Sequence, residues 1–419
     1  MNTTMPKKQP QPEHSSQRRH LLAGGASAMA AIGLGAFNQQ ALAADAAPVA
    51  TAAASAIKPL PAYVAWKDAS AMIVHTTSTL ETKRSAFGTS VITPSDQLYI
   101  RNNLPAPTAD TIGDRDTWEL MVEGVKSPQK FSVKQLKTMG LETTAMVLQC
   151  SGNGRGLFPS KPSGTPWQVG AAGCVVWSGV PVRTLVEALG GVMQGMPYMT
   201  GTGGEKLPEG LDPKSVMVER SVPISAMQDA LLAWEMNGVP IPLAHGGPLR
   251  LIVPGYNGVN NVKYIKRLAF TLEQSDAAIQ KTGYRVSPVG QKGDPSHPSV
   301  WELSAKSWIN SPGPDAGTLS AGMHQIKGVG FGGTQAVKTI EVSVDGGKTW
   351  KEARLVGPDL GKFAWRQFVL PVKLMAGSYV LMSRVTDVQG QPQSETRIEN
   401  TGGYSNSSWR DHAISINVA

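Results

Sequence analysis

Cys150 stands in the run Gln149-Cys150-Ser151-Gly152-Asn153-Gly154-Arg155, in a chain of 419 residues that contains 2 cysteines. A thiol followed by a fixed cation on a glycine-rich turn suits a metal-bound thiolate beside an anionic substrate. Thiolate sulfur is a soft metal ligand, nearby positive charge favours its deprotonation, and a guanidinium offers oxyanions a planar fork. Taken alone, the same cysteine also reads as a buried structural thiol, because free cysteine packs as a small hydrophobe. A disulfide to Cys174 is a third reading. Against it, Gly173-Cys174-Val175-Val176-Trp177 is an apolar run that predicts a buried strand, whereas Cys150 heads a polar turn.

Three further places hold groups able to do chemistry. In Tyr99-Ile100-Arg101-Asn102-Asn103-Leu104-Pro105 an arginine and two amides end a predicted strand before a proline turn. His245-Gly246-Gly247-Pro248-Leu249-Arg250 is followed by Asn261-Val262-Lys263, and Gly283-Tyr284-Arg285 comes last. Each has a bland reading when taken singly: Arg101 in a surface ion pair, His245 as a satisfied core histidine, Lys263 as a solvated cation.

The elements that must position these groups are mostly strands. Trp118-Glu119-Leu120-Met121-Val122 alternates before the turn residues Glu123-Gly124. Helices are few. One is predicted from Ser225 through Glu235, with Ala226, Met227, Ala230, Leu231 and Trp234 at helical spacing and Gly238 past its end, and another from Val182 to Leu189, closed by Gly190 and Gly191. From about Ser296 the texture becomes strands and turns. Thr339-Ile340-Glu341-Val342-Ser343-Val344 alternates, Asp345-Gly346-Gly347 turns and Thr349-Trp350 begins the return, which is a hairpin pattern. Phe363 to Val372 and Gly377 to Val385 supply more strands, and the whole reads as a small antiparallel sandwich of immunoglobulin-like size. The Gly328 to Gly333 cluster reads as a loop, since no helical pattern follows it to make a phosphate cradle.

The first residues address the chain. Ser16-Gln17-Arg18-Arg19-His20-Leu21-Leu22 precedes a small-residue apolar stretch from Ala23 to Phe37, and Ala41-Leu42-Ala43 offers a signal-peptidase site. The paired arginines and modest hydrophobicity favour a twin-arginine signal over residues 1–43, with a Sec signal as the alternative reading, and hence export of a folded, cofactor-loaded protein to the periplasm. A Pro/Ala-rich leader, Ala44 to Pro61, follows. Cleavage removes Lys7, Lys8, Arg18 and Arg19 together with Glu13, lowering the formal charge of +8 by three. The mature chain is then mildly basic, without basic runs interleaved with aromatics, which argues against nucleic-acid binding. No later stretch approaches the roughly 18 consecutive apolar residues that a spanning helix needs.

Taken together, Arg101-Asn102-Asn103-Leu104-Pro105, Cys150-Ser151-Gly152-Asn153-Gly154-Arg155, Ala233-Trp234-Glu235-Met236-Asn237-Gly238, His245-Gly246-Gly247-Pro248-Leu249-Arg250 and Asn261-Val262-Lys263 resemble the sulfite oxidase family of molybdenum enzymes, in the family's order. The resemblance runs from about Tyr99 to Tyr284 and continues more loosely beyond. It implies an α+β molybdopterin-binding domain of the sulfite oxidase fold over residues 44–295, leader included, and an all-β immunoglobulin-like sandwich over 296–419 that mediates a homodimer. It implies that Cys150 donates its thiolate to molybdenum held by one pterin dithiolene, which excludes the disulfide. Asn103, His245, Arg250, Asn261, Val262 and Lys263 then hold the pterin and its phosphate. Arg101, Arg155 and Tyr284 surround the metal, where two guanidiniums suit sulfite and a phenol both donates and accepts.

There are departures from the family pattern. Asn103 stands where animal members have a histidine, a further arginine found late in some members is missing around Thr401-Gly402-Gly403-Tyr404, and the acidic pterin ligand is either Glu205 or Asp212. The sequence has no Cys-x-x-Cys-His haem attachment, so the expected electron acceptor is a separate c-type cytochrome. The expected reaction is oxidation of sulfite to sulfate. Its rivals are oxidation of sulfur bound to a carrier protein, as in the related sulfane dehydrogenases, reduction of a sulfoxide, and, outside catalysis, a cofactor-free periplasmic binding or adhesion protein.

Overall fold

The computed structural model describes residues 58–88 and 90–419. The predicted signal peptide and most of the leader lie outside the described residues. Among those described, no helix is long and apolar enough to cross a membrane.

Strands dominate. Three sheets are built before residue 272: a small one from Met72–Thr76, Thr79–Thr82 and Ile100–Arg101, and two of five strands each. In one of the larger sheets, Glu142–Gln149 pairs with Ala172–Pro181, which pairs with Leu231–Met236. In the other, Ile265–Thr271 lies between Glu119–Glu123 and Tyr198–Gly203. The predicted strand at Cys174 is present, and its thiol is fully buried in an apolar cluster. Burial there pushes the thiol up to about 12. Both cysteines are free thiols, so neither disulfide nor cross-link ties this sheet.

The helix expected over Ser225–Glu235 does not form as such. Ile224–Gln228 is a short 3-10 turn, and Leu231–Met236 is a strand whose Leu232 lies opposite Val180. The apolar run Ala230 to Trp234 satisfies both periods, and ladder pairing on two sides decides for the strand. Asn237 and Gly238, both at positive φ, join Met236 to Val239 in a two-residue hairpin; the glycine taken for a helix end is a turn glycine. The Val182 helix is present as Val182–Ala188, with Gly190 and Gly191 at positive φ behind it.

After Lys306 the chain forms a four-stranded and a five-stranded sheet. Ile309, Ile326, Ile340, Phe368, Leu381 and Ile416 come from both and are buried together, which makes this region a sandwich. The hairpin around Asp345-Gly346-Gly347 forms between Val337–Ser343 and Lys351–Glu352. The Gly328 to Gly333 loop is a correction, because Gly322–Phe331 is one strand paired on both sides. Gly328 serves close approach, since a Cβ there would lie 2.2 Å from the Trp308 carbonyl oxygen and 2.4 Å from the Phe368 ring.

The two regions share a seam. Val147 and Cys174 are buried with Trp308, Val329, Phe331 and Trp365 in one apolar cluster, so the strand that delivers Cys150 rests directly on the sandwich.

Candidate active site

The cysteine loop begins where the Glu142–Gln149 strand ends. Cys150 N donates to Ala171 O at 2.8 Å, and the chain then turns, with Asn153 N on Cys150 O at 2.9 Å and Arg155 N on Gly152 O at 2.8 Å. Gly154, at φ +91°, supplies the left-handed conformation that the turn requires. The Asn153 amide braces the loop from within, donating to Gln149 Oε1 at 2.9 Å and accepting from Ala171 N at 3.1 Å. From the sandwich side, Lys306 Nζ donates to Asn153 O at 3.2 Å, Asn406 Nδ2 to Gly154 O at 3.1 Å and Ser405 N to Ser151 O at 2.9 Å. Sequence reading missed this clamp, because its members lie 150 residues or more from the loop and match no local pattern.

Lys306 carries a consequence for stability. Burial pushes its ammonium down to about 7 from 10.5, with Arg84 adding to the effect and Asp411 opposing it. Between those values the unfolded chain binds the proton that the folded protein has released, so stability rises with pH across that window. The urea midpoint of the wild type is therefore expected to climb relative to that of Lys306→Met between pH about 7 and pH about 10. Parallel pH profiles for the two proteins would refute the assignment.

A cavity opens in front of Cys150. Arg101, Asn103, Tyr284, His245, Arg250, Asn261, Val262 and Lys263 all line it. Each arrives by a different route. Arg101 ends the Ile100–Arg101 strand, His245 closes a 3-10 turn, and Arg250 opens the Arg250–Ile252 strand. Arg250 is held by donation from Nε to Asn261 O at 3.1 Å and from Nη1 to His245 O at 2.8 Å. Lys263 Nζ donates to Asn102 Oδ1 at 2.5 Å and Ala244 O at 2.7 Å. Gly246, at φ +102°, is needed beside it, since a Cβ there would meet the Lys263 chain at 2.7 Å. The Asn261 side chain is spent on its own loop, accepting from Val253 N at 2.8 Å and donating to Tyr256 O at 3.3 Å. Tyr284 sits at φ +50°, a strained conformation of the kind concentrated at functional sites.

Other placements depart from expectation. Arg155 is buried beside the cavity without lining it. Its Nε donates to Gly402 O at 2.8 Å and its Nη1 to Thr165 O at 3.0 Å, and any Cβ at Gly152, Gly164 or Gly403 would press on it at 3.0 Å or less. Of the two acidic candidates, Glu205 lines the cavity, whereas Asp212 is exposed and accepts from Lys214 N to cap the Pro213–Val216 helix. Lys67 is a buried cation that the sequence did not single out. Its Nζ lies 2.9 Å from His245 Nε2 and donates to Ser95 O and Leu98 O, in a segment whose polar spacing resembles any surface turn.

The electrostatics suit an anion with many polar edges. Arg250, Lys263, Lys67 and Arg101 form no ion pair with a carboxylate among the described residues, and Glu205 is the acid in the cavity wall. Burial drives Lys263 and Lys67 well below their usual range, and drives Arg250 down to about 10. Burial likewise keeps His245 neutral, with Lys67 reinforcing it. Burial also pushes the Glu205 carboxyl up to about 7, although Lys263 opposes the rise. Cations so desolvated gain most from a bound phosphate. A free cysteine thiol in the same wall completes a donor set that fits a metal dithiolene cofactor with a phosphate tail.

Comparison with known proteins agrees with this chemistry. Residues 104–279 match the oxidoreductase molybdopterin binding domain, and residues 297–418 match the Mo-co oxidoreductase dimerisation domain. The sulfite oxidase of Gallus gallus is 31% identical over 340 residues, covering 76% of this chain and 72% of that protein. The mitochondrial sulfite oxidase of Homo sapiens is 31% identical over 350 residues, of which this chain spans 62% of that protein's length. In fold, the chain is similar to the sulfane dehydrogenase SoxCD from Paracoccus pantotrophus, with TM-score 0.68, 24% identity, and coverage of 83% of this chain and 88% of that one. With a cysteine loop, a cationic cradle and both domains matched in order, the chain belongs to the sulfite oxidase family of molybdenum enzymes and carries the molybdopterin cofactor of that family.

Proposed function

We propose that the protein oxidises sulfite to sulfate in the periplasm, after twin-arginine export, and passes the electrons to a separate c-type cytochrome. The observation that carries this reading is the meeting of Cys150, Arg101 and Tyr284 in one cavity whose remaining wall is a cationic cradle. When bound, the cofactor supplies two-electron redox chemistry and an exchangeable oxygen. The chain's own groups do the rest. Arg101 draws the oxyanion toward the cysteine, and Tyr284 holds a proton at its phenol oxygen, able to donate or accept as charge on the substrate changes. Burial of the neighbouring wall excludes bulk water, which strengthens both interactions. The match to a dimerisation domain supports assembly as a homodimer through the sandwich.

Metal analysis together with steady-state kinetics tests the proposal. Protein exported by a host that makes the cofactor is expected to contain about one molybdenum per chain and to reduce cytochrome c in a sulfite-dependent way. Molybdenum-loaded protein that turns over no sulfite would overturn it.

A second reading keeps the cofactor and changes the substrate to sulfur carried on a protein cysteine. It is favoured by a groove bordered by Asn103, Leu104, Ile279 and Gly283, which meets the cavity at Asn103. A groove at the mouth suits a tethered substrate, and turnover of a persulfide-bearing peptide in preference to sulfite would select it.

A further inference from the structure

Lys67 forms no part of the cavity wall, yet it is hydrogen-bonded to His245, which does. Its Nζ lies 2.6 Å from Ser95 O, 2.5 Å from Leu98 O and 2.9 Å from His245 Nε2. Three acceptors thus surround a group that, as an ammonium, carries three donor hydrogens and no acceptor. The pair is closed off from solvent, with Lys67 4% exposed and His245 1%. Trp66 forms the outer cover: its ring centroid lies 4.5 Å from Lys67 Nζ and 5.9 Å from the imidazole centroid, edge-on to the latter.

Two proton arrangements satisfy these contacts. In one, a charged Lys67 gives its third hydrogen to Nε2, and the imidazole proton sits on Nδ1. In the other, a neutral Lys67 amine accepts from an Nε2–H, and Nδ1 is bare. The number of hydrogen bonds is the same, so charge decides between them. Burial opposes the ammonium and Asp96 supports it. Lys67, Lys263 and Arg250 all face the imidazole and disfavour a second proton on it, so His245 is neutral in both arrangements. An anionic cofactor in the cavity tips the balance toward the charged lysine, because the wall sets Arg101, Arg250 and Lys263 against Glu205 as its one acid among the described residues.

We infer that Lys67 is a positioning residue for the cofactor: its ammonium holds His245 Nε2 as an acceptor, commits the imidazole proton to Nδ1, and so makes His245 a hydrogen-bond donor to the ligand in the cavity. The group that such a donor recognises is an acceptor atom, either a phosphate oxygen or a carbonyl of the heterocycle. The hydrogen bond made by one ring nitrogen sets the protonation of the other, and partners of this kind influence how tightly a site holds its group. The inference rests on the cofactor of the family and is independent of which sulfur compound is oxidised.

Neutron diffraction from deuterium-exchanged crystals of the molybdenum-loaded protein reads the proton positions directly. The expected result is three deuterons on Lys67 Nζ, one on His245 Nδ1 and none on Nε2. A deuteron on Nε2 would overturn the inference. Lys67→Met removes the donor and frees Ser95 O, which lies near the imidazole and favours a proton there. In that variant the deuteron is expected to move to Nε2, and loss of molybdenum on dilution is expected to be about tenfold faster than in the wild type. A folded Lys67→Met that keeps its deuteron on Nδ1, or loses molybdenum at the wild-type rate, would remove Lys67 from this role. Should Lys67→Met fold poorly by circular dichroism, the wild-type deuteron positions decide alone. Proton positions are read without turnover, so a wild type with the expected deuterons that oxidises no sulfite would refute the functional reading and leave the role of Lys67 standing.

Discussion

Cys150→Ser is expected to leave a folded protein with no molybdenum retained and no sulfite oxidation. Cys150 lines the cavity, is 7% exposed and is not paired to Cys174. Serine is nearly the same size, and the loop that carries it is held by backbone groups and by Asn153, Lys306 and Asn406 rather than by the thiol. The lost function therefore comes from replacing a soft thiolate donor with a hydroxyl that remains protonated and binds a soft metal poorly. Metal content per chain and urea unfolding of the same preparations separate this from a structural role. A structural disulfide lost by the same substitution would cost about 2–5 kcal/mol. A variant with full molybdenum content, or one destabilised to that extent, would remove Cys150 from the site.

Arg101→Gln is expected to retain molybdenum and lose substrate. Arg101 is half-buried, donates from Nη1 to Asn102 O and lines the cavity with Cys150 and Tyr284. Desolvation alone would lower its affinity for a proton, but Tyr284, Cys150 and Tyr404 outweigh it and raise the value, so it remains a full charge. Glutamine keeps some hydrogen bonding and removes that charge. Loss of a charge-assisted contact to an oxyanion costs roughly 2–4 kcal/mol, a fall in kcat/KM of about 30-fold to 1000-fold, carried mainly by KM. Since Arg155 and Arg220 are committed to other partners, neither is free to replace it. Unchanged KM with reduced molybdenum content would reassign Arg101 to holding the cofactor.

Much of the site was legible because its chemistry is carried by compact motifs. Arg101, His245, Arg250 and Lys263 each stand next to residues that set their backbone: a strand end, a 3-10 turn, a strand start and a turn with Tyr264 at positive φ. The strands of the sandwich were legible for a similar reason, since alternation and the Asp345-Gly346-Gly347 turn are local. Leu231–Met236 was not, because a short apolar run carries no period of its own, and only pairing with Ala172–Pro181 and Arg250–Ile252 decides its state. Gly328 failed likewise: glycine signals a loop in isolation, whereas here it admits the Trp308 carbonyl and the Phe368 ring.

By itself, then, the sequence determined which donors this protein has and in what order: one cysteine on a glycine turn, cations at Arg101, Arg250 and Lys263, and a phenol at Tyr284. The tertiary structure alone decided which of them share a cavity. It turned Arg155 into a partner of backbone carbonyls and of Tyr404, chose Glu205 over Asp212 for the cavity wall, and brought Lys67, Lys306 and Asn406 to bear on residues far away in the chain. The reason is physical: a residue's type and neighbours fix what its atoms can bond, but long-range packing fixes which bonds are already taken when a ligand arrives.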